Sequence, residues 1–187
     1  MILKKFFYNR STLKVAQDLL GCFLIRKIGD NVIKTKIIET EAYNGPKDLA
    51  SHASRGKTVR NSVMFGESGI IYVYFTYGMH YMLNIVTEKK DYPAVVLIRA
   101  VEFVNQDKVE LNTKGPARLT KTLKIDKSFN ELPIYTKKYG LWIEDGDENI
   151  KKSQIKKAKR VGIDYAQEWA ERPWRFHIKN NKFVSKT

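Results

Sequence analysis

A chain of 187 residues that is 43% hydrophobic can bury one core, and its length is typical of a single domain, so we expect one domain over residues 1–187. Its 34 basic and 20 acidic residues give a formal net charge of +14, which favours a nucleic-acid partner, although a lysine-rich composition with a solvated surface gives the same charge. The single Cys22 excludes an intramolecular disulfide, and the lack of a signal-like or long apolar run predicts a cytoplasmic protein with no membrane segment.

The residue pattern predicts an α+β fold with a mostly antiparallel sheet. Ser11 can cap a first helix over residues 11–20, which Gly21 would end. β-Branched and apolar runs then predict two hairpins, residues 22–28 with 32–42 and residues 70–75 with 81–86, and a further strand at 94–101. Two more helices are expected, over 115–125 and over the lysine-rich stretch 151–160.

The strand predicted over residues 32–42 carries two acids. Alternation places Glu39 and Glu41 on the same face as Ile33 and Ile37. An acid on an apolar face means that the strand has left the core, that the acid has a basic partner, or that the acid does chemistry. Spacing alone does not choose between Glu39 and Glu41.

Arg99 poses the complementary problem, because it follows the apolar run 94–98. An unpaired buried cation would suffer a large desolvation penalty, so Arg99 needs an anion. A structural salt bridge meets this need, and so does a site in which Arg99 and a glutamate hold a water or a phosphate. The two interpretations are compatible.

Aromatic side chains cluster around the second hairpin. Tyr72 and Tyr74 share one strand face, and Tyr77 lies near the tip, where polar residues are usual. Tyr77 either folds back onto the sheet or projects as a wedge that enters a groove and unstacks bases. Basic residues surround this region, namely Arg55, Lys57, Arg60, Lys89, Lys90, Lys114, Arg118 and Lys121. His52 and His80 lack metal-ligand spacing, so no zinc site is expected.

These residues together resemble the alkyladenine DNA glycosylase family, also called methylpurine glycosylases. The resemblance covers nearly the whole chain in family order. It rests on the segments Glu39-Thr40-Glu41-Ala42-Tyr43, Asp48, His52, Arg60-Asn61, Met64-Phe65, Tyr72-Val73-Tyr74, Tyr77-Gly78-Met79, Asn84, Leu97-Ile98-Arg99-Ala100, Gly115-Pro116-Ala117-Arg118-Leu119, Arg160-Val161-Gly162, Trp169-Ala170 and Pro173-Trp174-Arg175-Phe176.

The resemblance implies a role for each matching residue. Glu41 would be the general base, with Arg99 and the Val161 carbonyl helping to hold its water. The flipped base would stack between Tyr43 on one face and His52 with Tyr74 on the other. Asn84 would disfavour normal guanine. Met82 stands where some relatives have a smaller pocket residue. Tyr77 would fill the gap that the flipped base leaves in the duplex, and Met79 is the next candidate for this role.

The resemblance also implies a curved sheet wrapped by helices and a protruding hairpin that enters DNA. The substrates would be alkylated purines in double-stranded DNA, first 3-methyladenine, then 7-methylguanine, with hypoxanthine and ethenoadenine accepted by some members. No lysine matches beside Glu41, which predicts a monofunctional hydrolase that leaves an abasic site. We expect a monomer without metal, cofactor or obligatory protein partner, and DNA-backbone contacts from Arg60, Lys57, Arg118 and Lys121.

Two other classes of protein would share these surface features. A non-enzymatic reader of damaged DNA would have the basic face and the Tyr77 wedge without turnover. A single-strand or RNA-binding module would use the tyrosines as a stacking platform. The pairing of Glu41 with Arg99 argues against both classes, and release of free base from methylated DNA separates them.

Overall fold

The computed structural model describes residues 1–104, 112–148 and 150–185, which form a curved antiparallel sheet of eight strands. Six strands follow the order β3-β4-β5-β2-β1-β6, while β8 pairs with β2 and with β7. The α+β class and the antiparallel sheet are thereby confirmed. The strands are β1 (Phe23–Ile28), β2 (Asn31–Asn44), β3 (Ile71–Thr76), β4 (His80–Val86), β5 (Ala94–Phe103), β6 (Leu141–Glu144), β7 (Ile155–Ala158) and β8 (Arg175–Ile178).

The longest strand, β2, lies at the centre of the sheet. Strand β5 pairs along one of its edges, and the other edge is shared by β1 and, further along, by β8. Residues 39–41 therefore lie between β5 and β8, and their side chains are completely buried. This part of β2 is therefore paired on both edges and forms an interior segment of the sheet.

The described residues form three short α-helices, α1 (Lys5–Tyr8), α2 (Thr12–Asp18) and α3 (Pro116–Thr122), of which α2 and α3 pack on the sheet. Helix α2 contacts β2 and β5, and the Thr40 hydroxyl donates a 2.7 Å hydrogen bond to the Ala16 carbonyl. Helices α2 and α3 are shorter than the predicted ranges, and the chain turns after α2 through Gly21 at φ +87°. No helix in the described part of the chain is long and apolar enough to cross a membrane.

The helix expected over residues 151–160 is wrong. This segment forms a single 3-10 turn at Lys152–Gln154 and then strand β7, which pairs with β8 from Ile155↔Ile178 to Ala158↔Arg175. The lysines that suggest a helix are exposed here, and both faces of the strand carry them. A tertiary partner, the C-terminal strand β8, overrides the local preference.

Candidate active site

The two carboxylates of β2 share one cation, because Arg99 reaches both from β5. Its Nε lies 3.4 Å from Glu39 Oε1, and its Nη1 lies 3.3 Å from Glu41 Oε2. The pairing of β2 with β5 shifts register on both sides of Glu39 and passes from Ala100 to Ile98 without a partner for Arg99. Such a bulge re-aims a side chain, and here it accompanies a guanidinium placed between two acids.

Glu39 is saturated by protein partners. Its Oε1 accepts hydrogen bonds from Arg175 Nη1 at 2.9 Å and from the Ser185 hydroxyl at 3.0 Å. Its Oε2 accepts a 2.8 Å hydrogen bond from the Ser185 main-chain N–H. With these bonds and the Arg99 contact, this carboxylate ties β2 to β8 and to the C-terminal segment, which is a structural role.

Glu41 is held more loosely. The Val161 N–H donates a 2.8 Å hydrogen bond to Oε1, and the Tyr43 hydroxyl donates one of 2.9 Å to Oε2. Burial raises the pKa of Glu41, while Arg99, the Val161 N–H and the Tyr43 hydroxyl oppose this effect. Burial also raises the pKa of Tyr43 well above its usual range, so its phenol keeps the proton that it donates to Glu41.

A cavity of about 450 Å³ opens beside this carboxylate. Glu41 itself has no exposed surface, whereas all three of its partners, Tyr43, Arg99 and Val161, line the cavity. The structure thus brings together the residues that sequence reasoning assigned to catalysis and to base binding. The other predicted base-binding residues that line this cavity are His52, Tyr74, Asn84 and Met82.

One wall of the cavity consists of packed aromatic rings. The His52 and Tyr74 rings lie 4.5 Å apart at 69°, and His52 Nδ1 is 3.0 Å from the Tyr72 hydroxyl. Partial burial lowers the pKa of His52, and the positive charge of Arg60 lowers it further to a smaller extent. The imidazole is therefore neutral near pH 7. Asn84 donates to the Tyr72 and Met82 carbonyls, at 3.2 and 3.3 Å, which fixes its amide group in the floor of the cavity.

Tyr43, which also lines the cavity, is supported by a buried ion pair. Arg160 binds Asp48 through both terminal nitrogens, at 2.6 and 2.8 Å, and also donates to the Ala42 and Trp169 carbonyls. Its guanidinium carbon lies 4.8 Å from the centre of the Tyr43 ring. Arg160 therefore fixes both Tyr43 and the start of the segment that carries Val161.

The hairpin between β3 and β4 presents two exposed apolar side chains at its tip. Tyr77 is 80% exposed and Met79 is 69% exposed, so Tyr77 does not fold back onto the sheet. Tyr77 also has φ +52°, a left-handed conformation that is uncommon for a residue other than glycine, asparagine or aspartate. Tyr77 lines the mouth of the cavity, so the tip and the cavity belong to one surface.

The four residues predicted to contact the DNA backbone occupy different places. Arg60 lines the cavity, donates to the Phe75 carbonyl at 3.1 Å and lies over the Tyr74 ring. Lys57, Arg118 and Lys121 are exposed and do not line it. None of the four forms an ion pair with an acid in the described residues, which leaves their charges available to an anion.

Sequence reasoning gave no role to two features of this site. A buried arginine needs an acid, so a partner for Arg160 could have been expected, but that partner, Asp48, is distant in the sequence. Tyr165, which lines the cavity mouth, lies in an irregular segment whose pattern carries no signal. Within the described ranges no three His, Cys, Asp or Glu side chains cluster closely enough to hold a metal ion.

Comparisons with known proteins identify the family of this chain. The family model of the methylpurine-DNA glycosylases matches residues 6–182. A candidate 3-methyladenine DNA glycosylase of Methanocella arvoryzae is 43% identical over 99% of this chain and 96% of its own length. Similarly named proteins of Clostridium botulinum and Legionella pneumophila (strain Corby) are 42% and 41% identical, over 100% and 97% of this chain and 100% and 96% of theirs. The chain therefore belongs to the methylpurine-DNA glycosylase family, DNA repair enzymes that hydrolyse N-glycosyl bonds.

Proposed function

We propose that the protein flips a damaged purine out of double-stranded DNA into the 450 Å³ cavity and hydrolyses its N-glycosidic bond with Glu41 as general base. The observation that carries this proposal is the cavity itself. It is lined by the aromatic side chains Tyr43, His52 and Tyr74, and also by Tyr43, Arg99 and Val161 as the three groups that contact the Glu41 carboxylate. A planar base bound there lies next to the carboxylate that all three of these groups contact.

The aromatic walls account for the binding step. A purine in a duplex hides its C1′ atom, and its extrusion costs a few kcal/mol that the cavity must return. Base–aromatic stacking contributes roughly 1 to 3 kcal/mol per base, and a cationic alkylated purine gains a further ~0.5 to 2 kcal/mol from the faces of Tyr43 and Tyr74. The neutral state of His52 avoids repulsion of that cation.

The hydrolytic step then needs one proton acceptor. A water attacks C1′, its proton passes to Glu41, and the electrons of the C1′–N bond leave with the purine, which produces an abasic site. A cationic alkylated purine leaves as a neutral base, whereas hypoxanthine or ethenoadenine also has to take up a proton from solvent as it leaves. Arg99 and the Val161 segment hold this water against Glu41. No lysine lines the cavity among the described residues, which favours water over an amine nucleophile.

The preferred substrate is 3-methyladenine, the base in the names of the similar proteins. Activity on 7-methylguanine belongs to the proposal, as does weaker activity on hypoxanthine and ethenoadenine. Asn84 is fixed by two main-chain carbonyls and cannot turn away, so it would crowd the exocyclic amine of normal guanine. Met82 narrows the cavity and would limit the bulkier bases.

The deciding experiment incubates the protein with duplex oligonucleotides that each contain one lesion and measures free base and abasic sites. We expect release from the 3-methyladenine duplex, none from an undamaged duplex, and no strand cleavage without added alkali. Binding without release of any base would identify a reader of damaged DNA instead. Strand cleavage together with a borohydride-trapped adduct would indicate a lysine nucleophile.

A further inference from the structure

Tyr165 is an aromatic side chain that the fold leaves in solvent at the mouth of the cavity. It is 69% exposed, although it lines the same cavity as Tyr43 and His52. It lies in the irregular segment Asp164–Trp169, where Gln167 has a positive φ of 53°. Its hydroxyl donates a long, 3.5 Å hydrogen bond to the carbonyl of Ala50, which also lines the cavity, while most of the ring stays in solvent, where a ligand that enters the cavity can contact it.

The residues around Tyr165 hold it rigidly. Ile163 and Ala166 are buried at 4% and 0% exposure and pack in one cluster with Ala50. The Ala166 N–H donates a 2.9 Å hydrogen bond to the Ile163 carbonyl, which closes the turn that projects Tyr165 outward. The side chain is thus presented by anchored backbone on both sides, and little ordering is required when it binds a ligand.

Tyr165 belongs to the chain segment that carries the catalytic contacts, not to the hairpin. Val161, four residues earlier, donates its N–H to Glu41, and Gly162 and Ile163 continue along the cavity wall. Tyr77, which belongs to the β3–β4 hairpin, lines the same cavity. The two tyrosines therefore stand at the same mouth but come from different elements.

We propose that Tyr165 is a binding residue that contacts the extruded nucleotide itself, packing its ring against the deoxyribose after the base has entered the cavity. This inference rests on the proposed function. The position of Tyr165 on the Val161 segment places it beside the nucleotide that enters, whereas Tyr77 at the hairpin tip is directed at the space that the nucleotide leaves. Tyr165 thus stabilises the extruded nucleotide, and Tyr77 stabilises the space that it vacates in the duplex.

This division of roles makes a distinction that can be measured. A residue that fills the vacated stack matters most when the lesion is well paired, because extrusion then costs the most. A residue that contacts the extruded nucleotide matters equally for a paired, a mispaired and a single-stranded lesion. Loss of Tyr165 should therefore impair all three substrates alike, in contrast to loss of Tyr77.

The test compares Tyr165→Ala, Tyr165→Phe and Tyr77→Asn on these three substrates, with Tyr139→Ala as a control at a tyrosine that is 36% exposed and does not line the cavity. Single-turnover base release is measured at subsaturating enzyme. Lesion binding at equilibrium is measured in the Glu41→Gln background. We expect Tyr165→Ala to lose about tenfold in rate and in affinity on every substrate, the scale of one aromatic contact to a nucleotide, and Tyr165→Phe to stay within about twofold of wild type.

Wild-type behaviour of Tyr165→Ala on all substrates would overturn the inference, and so would a loss confined to the paired lesion, which would make Tyr165 part of the wedge. A wild-type protein that releases no base would refute the proposed function instead. The binding comparison would still decide the role of Tyr165 in that case, because it needs no turnover.

Discussion

The main-chain N–H of Val161 donates a 2.8 Å hydrogen bond to one carboxylate oxygen of Glu41, although the two residues are 120 positions apart in the chain. Tyr43 and Arg99 contact the other oxygen. The carboxylate is thus oriented from three sides by groups that also form the cavity surface. Glu39, two residues earlier on the same strand, points into a different set of partners and serves the fold.

Substitution of Glu41 by glutamine should abolish base release while leaving lesion binding within about tenfold of wild type. The change removes the proton acceptor but keeps the size and shape of the side chain, and general-base catalysis contributes about 10² to 10⁴ in rate. Single-turnover kinetics and equilibrium binding are measured on the same lesion duplex. A variant that retained more than about a tenth of the wild-type rate would rule out Glu41 as the base.

Glu39→Gln is the matched control, since it makes the same chemical change on the same strand. It should lower stability by about 3 to 5 kcal/mol, because it leaves Arg175 and part of Arg99 as buried cations with weakened partners. The fraction that remains folded should still release base. Chemical denaturation and activity per folded molecule separate the two effects, and equal loss of activity in both variants would contradict the division of roles.

The rate of base release should fall on acidification at a higher pH than expected for an ordinary glutamate. Burial raises the pKa of Glu41, and only its ionised form accepts a proton from water, so activity rises with pH through the raised value. The folded state binds the proton more tightly than the unfolded state, so the contribution of Glu41 to stability falls over the same rise in pH. Rates on the 7-methylguanine duplex, whose cationic base leaves without taking up a proton, and denaturation of wild type and Glu41→Gln, both against pH, check the two trends.

An acid limb at or below the pKa of an unperturbed glutamate would contradict this prediction. So would a difference in stability between wild type and Glu41→Gln that stayed constant with pH. The pKa of His52 is lowered, so His52 takes up a proton only at a lower pH than a free histidine does. It therefore stays neutral over the pH range in which Glu41 should titrate.

The sequence predicts both hairpins of the sheet, because they are marked by local signals such as Gly29-Asp30 and Tyr77-Gly78 between β-branched runs. Strands β6 and β8 were not predicted, since each is only four residues long and exists through a distant partner. Alternation indicates that Glu39 and Glu41 are unusual but does not separate their roles. That separation depends on Ser185, Arg175 and Val161, which lie more than 115 residues away in the chain.

Affinity for undamaged duplex DNA should fall steeply with salt, with a slope of about −0.9 in log affinity against log salt concentration for each neutralised phosphate. Lys57, Arg60, Arg118 and Lys121 have no acidic partner in the described residues and are available for such contacts. Removal of one contact, as in Arg118→Ala, should reduce the slope by about 1. Binding that hardly changes between low and physiological salt would mean that the net charge of +14 reflects composition alone.

Truncation of Met82 should widen the range of bases that the protein accepts. Met82 lines the cavity and is the cross-strand neighbour of Tyr74 in the pairing of β3 with β4. Met82→Ala therefore enlarges the cavity without changing Glu41 or its partners. We expect release of ethenoadenine to rise relative to 3-methyladenine in a competition assay. An unchanged ratio between the two bases would show that Met82 does not limit their entry.

Substitution of Tyr77 tests the wedge at the hairpin tip. The residue has φ +52° and is 80% exposed. Tyr77→Asn replaces a strained tyrosine by a residue that tolerates this conformation, so the free energy of unfolding should stay the same or rise slightly.

Base release by Tyr77→Asn should nevertheless fall, because the extruded state loses roughly 1 to 3 kcal/mol of stacking in the vacated space. The loss should be largest for a paired hypoxanthine and small for a mispaired or single-stranded target, which costs less to extrude. Single-turnover release from the three substrates, with a fluorescent purine reporting extrusion, measures this pattern, and Met79→Ala tests the second candidate at the same tip. Should Tyr77→Asn release base from every substrate at the wild-type rate, Tyr77 is only a turn residue, and Met79, which is 69% exposed at the same tip, becomes the wedge.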